Sequence, residues 1–343
     1  MKINRNELLA ALKIIKPAIA TRDIIEEFTN VWFTGTHLIA GNDVGFGISV
    51  PFQSEFKGGI RGSLLIGLTN NTKIKEFELE PGKENGLVLK AGRSKVELSV
   101  FPIKKMLVQV PEESDKGVAI PKEFLEGLKK VLFAVGSETR AMPEQKGVTL
   151  VKGPVFNHMF ATNGATIAQY TWDDKFPVPN KSIILPSEFV DALVNNNVKT
   201  LSYGKGWAWA KGEKIFIFTK LLQNDEPKDL IKITEEASKG AVYIPIPQRL
   251  KLALARASVL LDKQKQEHII VKVEGAVLRL KTSSALGDLK DTIALDKDVP
   301  TMEAEINPSY LQKALDKCDS MFIGKKAAVL TGKNFSYFIA YKG

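Results

Sequence analysis

One short sequence motif recurs three times along this 343-residue chain and limits the folds that the chain can adopt. Residues 185–193 have the sequence LPSEFVDAL, residues 120–128 have IPKEFLEGL, and residues 306–315 have INPSYLQKAL. In each, an apolar residue typical of strands precedes a proline near the first helical position, where a missing N–H costs nothing, and an amphipathic run at i, i+3 and i+4 follows. The repetition predicts a chain built from one structural unit used several times.

The order of the predicted elements supports this interpretation. Helices are predicted over residues 4–16, 63–70, 121–134, 186–195, 247–261 and 308–318. The strands predicted between them include residues 38–51, 269–273, 277–282 and 288–295. The second helix of each pass begins near residues 63, 186 and 308, a spacing of about 120 residues. The sequence therefore predicts an α+β fold of three repeated domains, each with two helices packed on antiparallel sheet. Their boundaries are placed at 1–115, 116–238 and 239–343, with connections near 111–117 and 237–240.

The bulk composition is that of a globular protein with an anionic partner. Forty-eight Lys and Arg against 39 Asp and Glu leave a net charge of +9. The single cysteine, Cys318, falls at an apolar position of a helical pattern, which indicates a buried thiol. Polar residues interrupt the N-terminal segment, and no apolar run approaches the ~20 residues that span a bilayer. These features predict a cytoplasmic protein without a membrane segment.

The residues of a catalytic site are hard to assemble from this sequence. The three histidines, His37, His158 and His268, fall in separate strands with no partner at metal-ligand spacing. Residues 204–206 precede a strand instead of opening a helix, so they indicate a hairpin turn and not a phosphate loop. No nucleophile lies beside a base in any pattern. We expect a non-enzyme with no cofactor and no metal.

Basic residues are more informative by position than by number. The first helix of each pass carries them on the side opposite its apolar stripe, and the last helix adds an i, i+4 pair. The set comprises Lys13, Lys16, Lys122, Lys129, Lys130, Arg249, Lys251, Arg256, Lys313 and Lys317. If these helices share one surface, that surface can follow a phosphate backbone. Glutamates between the lysines keep an ordinary solvated face as the alternative. No aromatic residues interleave with these lysines, and no recognition helix dense in Arg, Asn and Gln is present. Both observations favour sequence-independent contact with duplex DNA.

Short sequence motifs along nearly the whole chain resemble those of the bacterial β sliding clamp, the processivity subunit of the replicative DNA polymerase. MKI with ELL at the N-terminus resembles the opening strand and helix of that family. LKAGRSK at 89–95 resembles its first G-R-S hairpin, and ATNG at 161–164 resembles its A-T-D-G turn. FIFTKL at 216–221 and ARASVL at 255–260 resemble the end of its second domain and its third-domain helix. Each phrase is weak alone, whereas their shared order and spacing are specific.

The resemblance implies a head-to-tail homodimer, a ring of six domains whose inner helices surround duplex DNA. It adds Arg22, Arg61 and Arg140 to the expected DNA contacts. It also implies a pocket in which a polymerase and a clamp loader insert short peptide motifs. The implied pocket residues are Thr162, Gly164, Ala165, Thr166, Ile167, Pro227, Tyr337, Phe338, Ile339, Ala340, Tyr341 and Lys342. The implied subunit interface places Met106 of one chain against Val259 and Leu260 of the other. A plain turn and internal core remain the alternatives for the pocket turn and for Val259 and Leu260.

This chain departs from the family pattern in the implied pocket. The family turn usually continues with His-Arg-Leu, where this chain has Ala165, Thr166 and Ile167. The family C-terminus usually carries Met-Pro-Met-Arg, where this chain has IAYK at 339–342. The family is also usually acidic, whereas this chain carries +9. These departures motivate the hypothesis of a divergent clamp carried by a phage, which failure of a bacterial clamp-binding peptide to bind in a titration would support.

Two rival functions remain open at the level of the sequence. The first is a Mg²⁺-dependent DNA-processing enzyme that uses Asp173, Asp174, Asp225 and Glu226. The second is a three-domain DNA- or partner-binding protein that does not close into a ring. Plasmid cleavage lost on Asp→Asn substitution would favour the first, and equal retention on circular and linear DNA would favour the second.

Overall fold

Seven α-helices lie in the part of the chain that a computed structural model describes, which is residues 1–22, 24–83, 86–112, 117–136, 142–173, 176, 178–223, 229–261 and 268–341. They are α1 (Arg5–Ile15), α2 (Gly62–Asn70), α3 (Lys122–Val131), α4 (Ser187–Asn195), α5 (Leu230–Ser238), α6 (Leu250–Leu260) and α7 (Pro308–Leu315). None of these helices is long and apolar enough to cross a membrane.

Twenty-two strands are found in the same described ranges, and every pairing among them is antiparallel. They are β1 (Lys2–Asn4), β2 (Asn30–Phe33), β3 (His37–Gly41), β4 (Gly47–Pro51), β5 (Gly58–Arg61), β6 (Glu76–Pro81), β7 (Leu87–Ala91), β8 (Ser94–Leu98), β9 (Val118–Ala119), β10 (Gly147–Lys152), β11 (Asn157–Thr162), β12 (Thr166–Trp172), β13 (Ile183–Pro186), β14 (Val198–Gly204), β15 (Trp207–Gly212), β16 (Phe216–Lys220), β17 (Val242–Pro245), β18 (Ile269–Ser284), β19 (Gly287–Ile306), β20 (Ser320–Ile323), β21 (Ala327–Gly332) and β22 (Phe335–Ala340). The α+β class and its antiparallel sheets are confirmed.

The chain forms two compact units. The first unit combines residues 1–121 with 188–221, and the second combines residues 122–187 with 222–343. The first unit holds a four-stranded sheet of order β1-β6-β7-β8 and an eight-stranded sheet of order β5-β2-β3-β4-β16-β15-β14-β9. The second unit holds an eight-stranded sheet of order β13-β10-β11-β12-β22-β21-β20-β17 and the two-stranded pair β18-β19.

The two eight-stranded sheets have the same construction. One half of each sheet consists of four strands that are consecutive in the chain, which are β2 to β5 in the first unit and β10 to β13 in the second. The other half consists of three later strands, β14 to β16 or β20 to β22, and a short edge strand, β9 or β17. The halves join through β4 and β16 in the first unit and through β12 and β22 in the second. Each unit therefore combines segments of two predicted domains, and the division into three domains stays a prediction.

The six predicted helices are all present, because their start and packing signals are local. The Asn4 side chain caps α1 by accepting hydrogen bonds from the backbone N–H groups of Asn6 and Glu7 at 2.9 and 3.3 Å. Leu8, Leu12 and Ile15 form its buried stripe, as expected. The three later helices that follow a proline begin at or just after that residue.

Three features of the fold differ from the sequence prediction. The sequence prediction omitted helix α5, which occupies Leu230–Ser238. Asp229 is its N-terminal capping residue, because its side chain accepts a hydrogen bond from the Lys232 N–H at 3.0 Å. The three strands predicted between residues 269 and 295 are instead two long strands, β18 and β19, whose register shifts around Gly275. Cys318 lies beyond the end of α7 and is half-buried, and burial raises the pKa of its thiol to about 12.

The strand predicted over residues 38–51 divides into β3 and β4. Gly45 has a φ of +85° in the connection, and the Asn42 side chain accepts a hydrogen bond from the Phe46 N–H at 3.0 Å. Gly47 is the first residue of β4, and a Cβ atom there would lie 2.3 Å from the Phe218 ring. The ring fills the space that the absent side chain leaves.

We expect Gly47→Ala to destabilise the protein by about 1–3 kcal/mol, because the added methyl group overpacks the sheet against Phe218. Gly67→Ala is the matched control, since nothing lies within 4 Å of its position in α2. That change should stabilise the chain by about 0.5–1 kcal/mol through higher helix propensity. Urea unfolding of both variants measures the difference, and equal midpoints would contradict the packing argument.

Candidate functional site

The predicted basic faces of α1 and α3 are largely present. Lys13 on α1 and Lys16, which directly follows that helix, are exposed, and Lys122 and Lys129 are exposed on α3. Lys130 departs from this arrangement. It is half-buried, its Nζ lies 5.3 Å from the centroid of the Tyr170 ring, and it donates a hydrogen bond to the Lys333 carbonyl at 3.0 Å. Four cations on or next to these two helices are therefore presented to solvent, and the fifth packs on the protein.

The cations of α6 have protein partners, and so does Lys317, which was predicted on the last helix but lies beyond the end of α7. Lys251 forms an ion pair with Asp316 at 2.7 Å, and Arg256 forms one with Asp291. Lys317 lies 4.0 Å from the centroid of the Phe133 ring, and burial lowers the pKa of its ammonium group. These pairings reduce the positive charge that α6 and Lys317 present.

The other basic residues expected to contact DNA lie in different surroundings. Arg249, which precedes α6, and Lys313 on α7 are exposed, and the Lys313 Nζ lies 5.9 Å from the Tyr310 ring centroid. Arg22 and Arg61 are exposed in the first unit. Arg140 lies outside the described residues. Contact of any of these residues with DNA stays a prediction.

The predicted pocket turn is closed by its own side chains. Thr162 Oγ1 donates to the Thr166 carbonyl at 2.6 Å and accepts from the Gly164 N–H at 3.0 Å. The Asn163 side chain accepts from the N–H groups of Ala165 and Thr166 at 3.0 and 2.9 Å. Gly164 has a φ of +89°, a conformation that favours glycine, and a Cβ there would lie 2.8 Å from Gln145 Nε2. The turn therefore has a single, well-determined shape.

The C-terminal strand lies beside this turn, as the resemblance implied. In the pairing of β12 with β22, Ile167 is opposite Phe338 and Thr166 is opposite Ile339. The Ala340 N–H donates to the Ala165 carbonyl at 3.0 Å, which extends the pairing to the end of the strand. The turn and the strand are thus parts of one continuous surface in the second unit.

Only some of the predicted pocket residues reach that surface. Thr162, Thr166, Tyr337, Phe338 and Ile339 are buried, and burial raises the pKa of the Tyr337 hydroxyl. The residues that remain at least partly accessible are Gly164, Ala165, Ile167, Ala340 and Tyr341. Pro227 and Lys342 lie outside the described residues. The accessible part is small and apolar, without the histidine and arginine that the family turn usually supplies.

The side chains implied at the subunit interface differ in exposure. Val259 is 76% exposed on α6, whereas Leu260 is half-buried. Met106 is half-buried against an apolar cluster of its own unit, which includes Trp32, Val108 and Trp209 but no other part of the predicted interface. Part of the Met106 side chain therefore belongs to the internal packing of the first unit.

Two residues near these sites were not predicted from the sequence. Leu252 is 63% exposed and precedes Val259 by two helical turns, so both side chains lie on one side of α6. Leu252 could have been found in the sequence as an apolar residue that lies outside the predicted buried stripe of its helix. Gln145 lies next to Gly164 only because residues distant in sequence pack together, and no local pattern marks it.

The rival metal site falls mostly outside what the structure describes. Asp174, Asp225 and Glu226 are outside the described residues, and only Asp173 is within them. Across the described ranges, no group of three or more His, Cys, Asp or Glu side chains could hold a metal ion.

Comparison with known proteins gives a match in structure alone. No family model and no curated protein matches this chain. The fold is similar to that of a DNA polymerase sliding clamp from Bacillus subtilis, with a TM-score of 0.82, 15% identity and coverage of 100% of this chain and 98% of the other. It is similar to the β subunit from DNA polymerase of Streptococcus pyogenes, with a TM-score of 0.82, 17% identity and 99% coverage of both chains. It is also similar to a sliding clamp from Bartonella birtlesii bound to griselimycin, with a TM-score of 0.85, 15% identity and coverage of 100% and 99%. The chain has the fold of these proteins over its whole length.

Proposed function

We propose that this chain is a DNA sliding clamp, a ring that encircles duplex DNA and tethers the replicative polymerase so that synthesis is processive. The observation that carries this proposal is the likeness in fold over 99–100% of the chain, at TM-scores of 0.82 to 0.85. Fold likeness is an analogy, and the properties of the chain's own surfaces have to agree with it.

The exposed cations on α1 and α3 suit the proposed contact with DNA. Lys13, Lys16, Lys122 and Lys129 present ammonium groups that attract phosphates. Phosphate contacts carry no base information, so a protein that uses them can move along the duplex at constant energy. Such a ring holds its DNA by topology, and its individual contacts can stay weak. The proposed role requires no catalytic residue, cofactor or metal, and its place is the cytoplasm in which replication occurs.

The apolar surface at Ile167, Ala340 and Tyr341 suits a peptide partner. Turn and strand are fixed by hydrogen bonds, so the surface is preformed and loses little entropy on binding. A polymerase and a clamp loader would each insert a short linear motif there. A tether of this kind raises the effective concentration of the polymerase at the DNA without any contact to the reacting groups.

The proposed ring requires a homodimer, and α6 supplies a surface for it. Val259 and Leu252 are 76% and 63% exposed on one side of that helix. Large apolar side chains clustered in this way favour burial against a partner. Head-to-tail pairing would place them against the first domain of the second chain.

We expect light scattering on a sizing column at moderate salt to give about 76 kDa, twice the 37.8 kDa of one chain. Val259→Glu should convert the dimer to monomer, because it places a charge in the proposed interface. Val155→Glu is the matched control, since Val155 is also 76% exposed but lies in a hairpin of the second unit away from α6. A wild-type monomer at all concentrations would leave the fold standing and contradict the ring.

A further inference from the structure

The first unit contains a cavity at the position that corresponds to the proposed peptide pocket of the second. The correspondence follows from the sheets, in which β3, β4 and β16 take the places of β11, β12 and β22. The last pair of the hairpin is Gly41 with Gly47 in one unit and Thr162 with Ile167 in the other. Across the junction, Gly47 is opposite Phe218, as Ile167 is opposite Phe338.

Backbone contacts outside the paired strands also correspond between the two units. The Leu221 N–H donates to the Gly206 carbonyl at 2.8 Å, and the Tyr341 N–H donates to the Lys326 carbonyl at 3.2 Å. The isolated bridge between Gly59 and Phe101 has its counterpart between Ile184 and Leu222. In both units, therefore, the strand end at the junction bonds to the neighbouring hairpin turn, and the outermost strand pairs with one residue of a connecting segment.

The cavity has a volume of about 120 Å³. Its walls are the β3–β4 turn, the segment that contains Leu107 and Val108, and the aromatic side chains of Trp207 and Phe218. A cavity of roughly this size holds one benzene-sized group, whereas pockets for whole small molecules are several times larger. The volume favours a single inserted side chain over a metabolite or cofactor.

The rim of the cavity is apolar and unusually exposed. Leu107 is 49% exposed, and Val44, which lies between the lining residues Asp43 and Gly45, is 53% exposed. Asn42, Asp43 and Gln109 contribute polar groups that can bind the backbone of an extended peptide. Exposed apolar residues around a preformed cavity with a few polar groups are typical of a site that binds a partner.

The charges at the rim favour an acidic partner. The Lys220 Nζ lies 5.5 Å from the Trp207 ring centroid, and among the described residues no carboxylate lies within ion-pair distance of it. Lys104 and Lys105, both exposed, directly precede the wall segment. Asp43 is the one carboxylate among the residues that line the cavity. Lys220 and Asp43 are the charged residues that line the cavity, and Lys104 and Lys105, close by in the chain, add positive charge that complements a peptide with Asp or Glu beside its anchor.

We propose that this cavity is a second peptide-binding site, which takes one leucine- or phenylalanine-sized side chain from an extended, acidic segment of a partner protein. The inference rests on the proposed function in that it extends the peptide-pocket architecture of the second unit to the first. With both sites, one chain binds two peptide segments at once.

Photo-crosslinking of the full-length protein tests the proposal. The probe is Gly-Glu-X-Glu-Gly, in which X is p-benzoylphenylalanine, and mass spectrometry locates the labelled residues. We expect label on the segment that contains Leu107 and on the segment that contains Ile167. Excess Gly-Glu-Phe-Glu-Gly should compete at the first site, and Gly-Lys-Phe-Lys-Gly should not.

Variants assign the label to each pocket. Leu107→Asp should abolish labelling in the first unit, and Lys220→Ala, an exposed change that leaves the core intact, should reduce it about two- to fivefold. Lys214→Ala is the matched control, since Lys214 is exposed in the same unit and is not among the residues that line the cavity. Ile167→Asp should remove only the label in the second unit.

The outcomes separate this inference from the proposed function. Label confined to the second unit, or label in the first unit that is unchanged by Leu107→Asp and Lys220→Ala, would overturn the inference and leave the clamp proposal standing. Label confined to the first unit would support the inference and contradict the peptide pocket of the clamp proposal. No label above that of a non-competable background would overturn both peptide assignments.

Discussion

Retention on circular DNA and loss from linear DNA is the largest effect expected of this protein. Concentrated protein mixed with nicked circular plasmid can open, reclose around the duplex and then be separated from free protein on a sizing column. A closed ring cannot leave a circle without opening, so we expect it to coelute with the plasmid. After one restriction cut it should slide off the free ends, since phosphate contacts are alike at every register.

We expect residence on the circle to exceed residence on the cut plasmid by at least about tenfold at a salt concentration that suppresses simple phosphate binding. The Val259→Glu variant is the control, because a chain that cannot dimerise cannot enclose DNA. Equal retention on circular and linear plasmid would contradict the clamp proposal and favour a three-domain binding protein that does not close. Cleavage of the plasmid in the presence of Mg²⁺ would instead favour the enzyme.

Removal of the exposed helix lysines gives the second large effect. The fourfold variant with Ala at Lys13, Lys16, Lys122 and Lys129 should bind duplex DNA on the order of ten- to a hundredfold more weakly at low salt. Each lost phosphate contact also reduces the dependence of log K on log salt by about 0.9, so the slope should fall by about three to four. Fluorescence anisotropy with a labelled duplex over a series of salt concentrations measures both quantities.

A matched variant distinguishes helix placement from bulk charge. Lys57, Lys73, Lys239 and Lys297 are exposed lysines off these two helices, with two in each unit. Replacing all four by Ala lowers the net charge of +9 by the same amount. We expect it to change the affinity much less. An equal loss in the two variants would mean that the net charge alone attracts the DNA, and the proposed helix contacts would be wrong.

Local sequence was sufficient for six of the seven α-helices that the described residues contain. The buried stripe of α1 and the proline-led starts of three helices depend on residues a few positions apart, and such patterns survive in any tertiary context. The turn at residues 161–164 was likewise predictable, because Asn163 and Gly164 carry its hydrogen bonds and its positive φ within the turn itself. Six of the helices and the turn at residues 161–164 therefore follow from local sequence patterns, whereas a pocket at this turn was implied only by the resemblance to a family.

The pairing of distant strands could not be predicted in the same way. Nothing near Gly47 indicates that Phe218 fills the space above it, and nothing near Gln145 places it against Gly164. These contacts join residues far apart in the chain, and only the assembled sheet defines their register. For the same reason, the predicted domains did not reveal that each compact unit draws strands from two of them.

The charged residues show most clearly which properties the sequence determines and which ones the tertiary structure decides. The sequence by itself determined that the helices carry an excess of lysine, that one short motif recurs along the chain, and that its motifs resemble those of one family. Only the tertiary structure decided which cations remain available: Lys13 and Lys129 are exposed, whereas Lys130 lies on the Tyr170 ring and Lys251 is held by Asp316. The physical reason is that charge is a property of a residue, whereas the partner that neutralises or orients it is supplied by another part of the fold.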